Sequence, residues 1–508
     1  MATPGGIQGQ GSAPTSQIAQ FRSDGVTTQS GLRLQFFTDS FSRAFGLPET
    51  RLVNMISEAT PLREERPYVP LVGLREVHYS RPGLASAYSP GTGPIRGLTV
   101  APPAYGGGLF CVSGTTAYNL ATSATCGAIP GTDLVRWAVS RSQMVMVAGG
   151  TAWLYDGANF NPISNGVLPP VSDVAYLSGR FVYVCEGTDT FFYSEIDDAA
   201  NETGLDFATA EAAPDPNVAV GVLDEQLVFF GTQSVEFWST ASDPTAPFQP
   251  VVGEEYQRGC ASRGSVAYAD NSLFWVGDNR VVYRVIGTTP TRISSSSIED
   301  KLRQCANISG VTAWSATFEG HEMYVMNVPG IGSYAYDCSR LNVKEAGRGE
   351  WGEWQSWNQP TFRGQVAATL NDVTYVGDNT LGVVWQMQVG TYTDGGNPLV
   401  RVGSCFIKVE EGTPRCDNIV LEGVTGVGLA SGQGSAPAIE MRYSDNQGGS
   451  FSQWRQASMG GAGQSNVRAF WTRLGLMRSP GRLIEVRCSD PVNVVFSHME
   501  LNATRPAR

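Results

Sequence analysis

The stretch LFWVGDNRVVYRVIG, residues 273–287, holds an apolar run, a turn of Gly, Asp and Asn, and a second run with an aromatic. That order reads as two antiparallel strands around a tight turn. Working outward, the same pattern recurs in LFCVSGTTAYNL (109–120), MVMVAGGTAWLYDG (144–157), FVYVCEGTDTFFYS (181–194) and LVFFGTQSVEFWS (227–239). It continues in MYVMNVPGIGSYAYD (323–337) and VTYVGDNTLGVVWQM (373–387). Successive copies lie roughly 35 to 50 residues apart. An all-β unit repeated at that period is the signature of a β-propeller. Seven hairpins leave six or seven blades open, because such rings often close by sharing a blade between both ends of the repeat.

The fold class expected is therefore all-β: a β-propeller with a small additional β domain and an extended N-terminal arm. Residues 1–45, led by a Gly-, Ser-, Thr-, Pro- and Gln-rich stretch, form the arm, which is either a floppy end or a segment that orders against a partner. Residues 46–395 form the propeller with its lead-in segment. Residues 396–508 form a C-terminal β domain that packs on the ring or completes it. In RLVNMISEATP (51–61), Pro61 ends any helix, so a strand or turn is expected. IRGLTV after Pro94 reads as the first inner strand, and QPTFRGQVAATL (359–370) as another. SSSSIEDKLRQ (294–304) is the best helix candidate, with Ser297 as cap and Glu299 and Asp300 in its first turn.

Composition narrows the function. Charged residues make up 16% of the 508, against the usual quarter, and the net charge is −12. A phosphate-binding groove needs clustered Lys and Arg, so the main surface is not one. Low charge suits a chain that lives in an assembly, whose buried interfaces are poor in charged residues. The nine cysteines form no C-x-x-C pair and read as free, buried thiols of a protein folded in a reducing cytoplasm. Cys405 and Cys416 are the closest pair across a hairpin. The first residues lack the pattern of a signal peptide, and no apolar run is long enough for a membrane span.

Candidate chemistry is sparse. There is no G-x-S-x-G, no H-E-x-x-H and no phosphate-binding loop, and only His78, His321 and His498 are available for acid–base work. No catalytic, cofactor-binding or metal-ligating residue is assigned. Propeller glycosidases set paired carboxylates over the central channel. Asp270, Asp278, Asp378 and Glu319 are the carboxylates nearest strand edges. Asp278 and Asp378 both sit in V-G-D-N, which favours a repeated turn role. The acidic loop with Glu195, Asp197, Asp198, Glu202 and Asp206 offers oxygen ligands for calcium, but its spacing misses the EF-hand, and a solvated loop is the plainer reading. SDNQGGSFSQW (444–454) is close to an Asp-box turn, with Asp445 holding the turn and Trp454 plugging it. Trp351, Trp354 and Trp357 fall on different faces of a strand and suit packing between blades or a protein interface.

Several segments resemble the packaged-DNA stabilisation, or tail hub, proteins of short-tailed bacteriophages. Leu52, Val53, Asn54, Met55 and Glu58 fill that family's L-V-N-M-Y-x-E pattern, with Ile56 in place of its Tyr. Arg81, Pro82, Gly83 and Leu84 fill its R-P-G-L, and LVFFGTQSVEFWS resembles its F-G-x-x-x-x-E-F-W hairpin. The resemblance implies a structural nozzle in the virion tail, made in the host cytoplasm. It implies a homo-hexamer below the portal–adaptor ring, near tail fibres or tailspikes and a plug or needle protein, with double-stranded DNA passing its lumen. It carries no catalytic residues. Two other readings stay open from the residues: a propeller enzyme that degrades glycans, and a receptor-binding adhesion module.

Overall fold

In the computed structural model the described residues are 19–21, 28–34, 36, 48–60, 75–164, 166–201, 206–210, 215–243, 245–339, 350–410 and 412–504. Each of the seven hairpins forms the second and third strands of a four-stranded antiparallel sheet. Among the described residues there are seven such four-strand sets, so the blade count is seven. Five are separate sheets, spanning residues 95–128, 136–162, 171–209, 217–256 and 267–292. The sixth spans 312–354. The seventh takes three strands from 364–388, and its fourth strand is Gly83–Tyr88, paired with Val384–Gln388 and extended beyond by the short strands Thr393–Asp394 and Asn397–Pro398. The ring thus closes with one strand from ahead of the first blade, and Pro82–Gly83 leads into it.

The first strands of successive blades pack side by side around the axis, and Gly364–Leu370 returns to Ile95–Val100. In blades three to seven, the first two strands are joined by two residues at positive φ: Ser178-Gly179, Asp224-Glu225, Asp270-Asn271, Glu319-Gly320 and Asn371-Asp372. Positive φ at both positions is what the type I′ hairpin requires, and its twist matches that of the strands. Blade faces bury their apolar residues against the next blade. Trp351 packs with Phe274 and Tyr336, on the side of blade five, and Trp354 packs with Trp314 and Phe362, on the side of blade seven. Trp357 is 42% exposed.

The second unit is two sheets packed face to face. One contains Arg401–Val409, Gly481–Cys488, Ala438–Ser444 and Arg455–Ser458, with Ala19–Phe21 parallel to Arg401–Val409. The other contains Met55–Thr60, Arg75–Ser80, Val495–Thr504, Arg415–Gly423 and Ala469–Thr472, with Thr28–Leu34 beside Val495–Thr504. Their inner faces bury Ile407, Ile439, Ile484, Trp471, Met499 and Leu501 in one core. Residues 52–60 and 75–80, which the sequence reading places with the propeller, so lend strands to this unit. The described strands of the arm lie on it too, and the rest of the arm falls outside the described residues. Leu52–Val53 pairs with Glu353 of blade six on one side and with Val402 and Gly403 on the other, making blade six and the first sheet continuous.

The one α-helix among the described residues is Ser296–Gln304, and its cap is Ser295, not Ser297: the Ser295 hydroxyl accepts from the Ile298 N–H. Ser297 is already inside the first turn and buried. All nine cysteines are buried and free.

Candidate functional site

Two places gather polar side chains from distant parts of the chain: one end of the propeller axis, and the joint between the two units.

At the axis, the end where the first strands begin is crossed by Arg263. It sits on the one-turn helix Arg263–Ser265 that leads into blade five. Its guanidinium donates to the Ser172 carbonyl of blade three and, at 3.1 Å, to the Asp133 carboxylate ahead of blade two. Blades five and two stand on opposite sides of a seven-membered ring, so this side chain bolts across the mouth. The carboxylates nearby are engaged. Asp173 is fully buried and accepts from Arg136 Nε at 3.0 Å and from the N–H groups of Val174 and Val220. Arg96 is buried too and donates to the carbonyls of Gly114, Ile129 and Asp133, tying blade one to blade two.

The joint is built on Asn54 and Arg81. Asn54 adopts φ 55°, a left-handed conformation that Asn tolerates better than other non-glycine residues, and so separates strands Leu52–Val53 and Met55–Thr60. Its amide donates to the carbonyls of Gln355 and Val400 at 3.0 and 2.9 Å. Its carbonyl accepts from the Gln355 N–H and from Arg81 Nε, each at 2.9 Å. Arg81 also forks onto Asp394, at 2.6 and 3.1 Å, and lies over the rings of Phe362 and Trp354. The pair is closed to solvent, at 0% and 2% side-chain exposure. Four stretches meet here: the lead-in strands, the end of blade six, the linker after blade seven and the start of the second unit. A buried bidentate pair of this kind fixes geometry more than it adds net stability. Close by, His321 of blade six binds Asp337 at 2.7 Å, and that hydrogen bond is the main cause holding the imidazole pKa above its ordinary value.

The carboxylates named from the sequence do not converge. Asp270 pairs with Arg284 at 2.9 Å in the first turn of blade five. Asp378 fits the turn role: it is fully buried and accepts from the N–H groups of Thr380 and Leu381, from Thr380 Oγ1 and from Trp385 Nε1. Asp278 does not share it. It is exposed in its turn, and Asn279 makes the side-chain bond to the Val281 N–H there. In the Asp-box-like turn, Asp445 forks onto Arg482 at 2.6 and 2.8 Å, while the Ser444 hydroxyl and Asn446 hold the backbone. Trp454 is stacked between Arg442 and Arg487. In the acidic loop, Glu195 faces Arg180 and Asp197 accepts from Tyr176, while Glu202 lies outside the described residues. Among the described residues no His, Cys, Asp and Glu group is arranged to hold a metal ion. Among them, too, no helix is long and apolar enough to cross a membrane.

Sequence reasoning singled out Asn54 and Arg81 through the patterns they fill. It missed Arg263, Asp133, Gln355 and Asp394, which lie in a one-turn helix, a loop and strand ends without periodic pattern.

Comparison with known proteins bears on this geometry. Residues 66–392, well over half of the chain and the whole of the ring, match the family described as "Bacteriophage P22 Gp10, beta-propeller". The tail hub protein gp10 of Salmonella phage P22 is 25% identical over 224 residues, covering 40% of this chain and 47% of that protein. The match therefore spans about half the length of that relative. Among solved structures, BamB from Moraxella catarrhalis is similar at 10% identity and a TM-score of 0.38, over 66% of this chain and 98% of its own. An exo-β-1,3-galactanase from Phanerochaete chrysosporium is similar at 11% identity and a TM-score of 0.25, over 65% and 94%. At these identities and scores neither bears on function.

Proposed function

This chain belongs to the bacteriophage P22 Gp10 β-propeller family, and from that premise we propose that it is a structural tail hub of a short-tailed phage virion. In this reading it joins the portal–adaptor ring to the distal tail, as a homo-hexamer. It retains the packaged DNA and later forms part of the ejection channel. Tail fibres or tailspikes and a plug or needle protein are its distal neighbours.

The observation that carries the reading is the family match laid over a closed seven-bladed ring. The bolted axis supports it from another side. A propeller whose mouth is crossed by Arg263, and whose nearby carboxylates are tied up, serves as a rigid spacer. DNA would then pass beside the propeller, along a lumen walled by several copies, where a net charge of −12 disfavours adhesion of the phosphate backbone. The buried clamp at Arg81 suits a part that transmits force between two units. No step in this reading involves catalysis, since the joint and the axis offer engaged, structural side chains.

The test is cryo-electron microscopy of the full chain mixed with its cognate portal–adaptor complex. Six copies closing under the adaptor around a continuous lumen is the expected result. A monomer that ignores the complex overturns the proposal.

A further inference from the structure

A cleft of about 400 Å³ opens beside the clamp, between blade six, the linker after blade seven and the second unit. Its wall carries Glu58, Tyr79, Glu319, Tyr392 and Asn493, with Val77, Val389 and Val495 as apolar floor. A volume of this order is within the range of ordinary ligand sites.

Its charge is one-sided. Glu58 and Glu319 are exposed, and among the described residues neither has an ion-pair or hydrogen-bond partner. The cation in the wall, Arg81, is spent on Asp394. His321 lies beside the cleft, its ring 6.1 Å from that of Tyr79, and is held by Asp337. Burial, and then the charges of Glu319, Glu58 and Asp337, raise the Tyr79 phenol above its ordinary value. Burial raises the Tyr392 phenol too, with Arg401 opposing the shift and Glu319 adding to it. Glu319 thus acts on both tyrosines, and Glu58 on Tyr79. Ser80 in the wall is 7% exposed, and among the described residues its hydroxyl has no hydrogen-bond partner. A buried hydroxyl of that kind is costly until a donor or acceptor reaches it.

We propose that this cleft receives a lysine or arginine side chain carried on a segment of a partner protein. Two free carboxylates supply charge complementarity, and two tyrosine rings supply faces on which an alkylammonium or guanidinium group is attracted. Apolar floor residues cover the aliphatic stem. Arginine fits the wall best, because its planar head can stack on a phenol ring while its N–H groups reach carboxylate and hydroxyl oxygens. That the occupant comes from a protein partner rests on the tail-hub reading; the cation preference does not.

The test uses the full chain and ligand-observed saturation-transfer NMR. The probes are acetyl-Gly-Arg-Gly-amide and acetyl-Gly-Lys-Gly-amide, with the citrulline peptide as neutral isostere and methylguanidinium as free cation. The expected result is binding of the arginine peptide in the millimolar range, at least about tenfold tighter than the citrulline peptide. Glu58→Gln with Glu319→Gln should abolish that preference and leave thermal stability unchanged, because both carboxylates are exposed and, among the described residues, unpaired. Equal binding of arginine and citrulline peptides, or a preference that survives the double substitution, overturns the site. Methylguanidinium binding as tightly as the peptide overturns the protein segment as occupant and points to a free small cation. Failure here leaves the tail-hub reading to the portal–adaptor experiment, and failure of that experiment with intact peptide binding removes only the virion partner.

Discussion

Replacing Asp394 with Ala should be among the costliest single changes in this protein. The substitution removes two charge-assisted bonds, at 2.6 and 3.1 Å, and strands the Arg81 guanidinium where no solvent reaches it. Breaking one side of a buried pair typically costs about 3–5 kcal/mol, most of it the uncompensated charge. The remaining Arg81 partners, Asn54 Oδ1 and the carbonyls of Pro82 and Gln355, are neutral and relieve only part of that. Removing the cation as well should therefore rescue stability. In Arg81→Met with Asp394→Ala, the Asn54 carbonyl keeps the Gln355 N–H and the Gln355 carbonyl keeps the Asn54 amide, so few groups are orphaned. The double variant should be at least about 2 kcal/mol more stable than the sum of the two single losses. Urea unfolding followed by tryptophan fluorescence reads this directly, since Trp354 lies 5.5 Å from the guanidinium. Circular dichroism on the same samples adds a second probe. If the clamp couples the two units, the two transitions should separate in Asp394→Ala. A loss under about 1 kcal/mol, or strictly additive singles, would refute the reasoning.

Asp378→Ala should destabilise by about 3 kcal/mol or more, because a buried acceptor serving the Thr380, Leu381 and Trp385 donors is lost, whereas exposed Asp278→Ala should stay within about 0.5 kcal/mol; denaturant midpoints of the two variants decide it. The His321–Asp337 bond raises the imidazole pKa, so its contribution is fully present below the ordinary value of 6.5 and fades as pH rises through the raised folded value. Melting curves of wild type and His321→Gln should differ more at pH 5.5 than at pH 8.5, and a constant difference counts against that linkage. Burial pushes the Cys185 thiol up to about 11 and those of Cys260 and Cys416 up to about 12. Iodoacetamide at pH 8 should label none of the nine cysteines in the native protein and all nine in urea, as counted by intact mass.

What the sequence made legible is what repeats locally. Each hairpin puts both strands and its turn within about fifteen residues, so periodicity and turn chemistry exposed all seven pairs. They are the middle strands of the blades, which carry the longest apolar runs, such as Phe181 to Cys185 and Leu273 to Val276, all buried. First strands were legible only where a proline or glycine marked them, as at Ile95 and Gly364. Closure was not legible, because Gly83–Tyr88 finds its partner some 300 residues later, and pairing at that distance leaves no local signal. The joint shows the same division. Asn54 and Arg81 stood out within their patterns, but Asp394 and Gln355 are ordinary polar residues until the fold brings them together. The V-G-D-N repeat misled in one copy for a related reason: the motif is shared, but only Asp378 has a tryptophan N–H and Arg363 within reach.

The axis and the joint together constrain how such a part can work. Opening a passage through the propeller would require pulling Arg263 off Ser172 and Asp133 and then parting first strands that pack around the whole ring. Bending the chain at its waist would require breaking the Leu52–Val53 pairings on both sides and emptying the Arg81–Asp394 clamp. Both moves expose buried polar groups, so neither belongs to a low-energy cycle. The contacts that remain free to change are those on outer surfaces, which in the tail-hub reading face other copies or a partner. Such surfaces include the exposed apolar side chains of Val252 and Phe470 and the acidic cleft beside the clamp. In the tail-hub reading, retention and release of DNA are then set by how whole copies tilt against each other and against the adaptor. The sites at which substitutions alter release without altering stability should lie on those surfaces, not along the propeller axis.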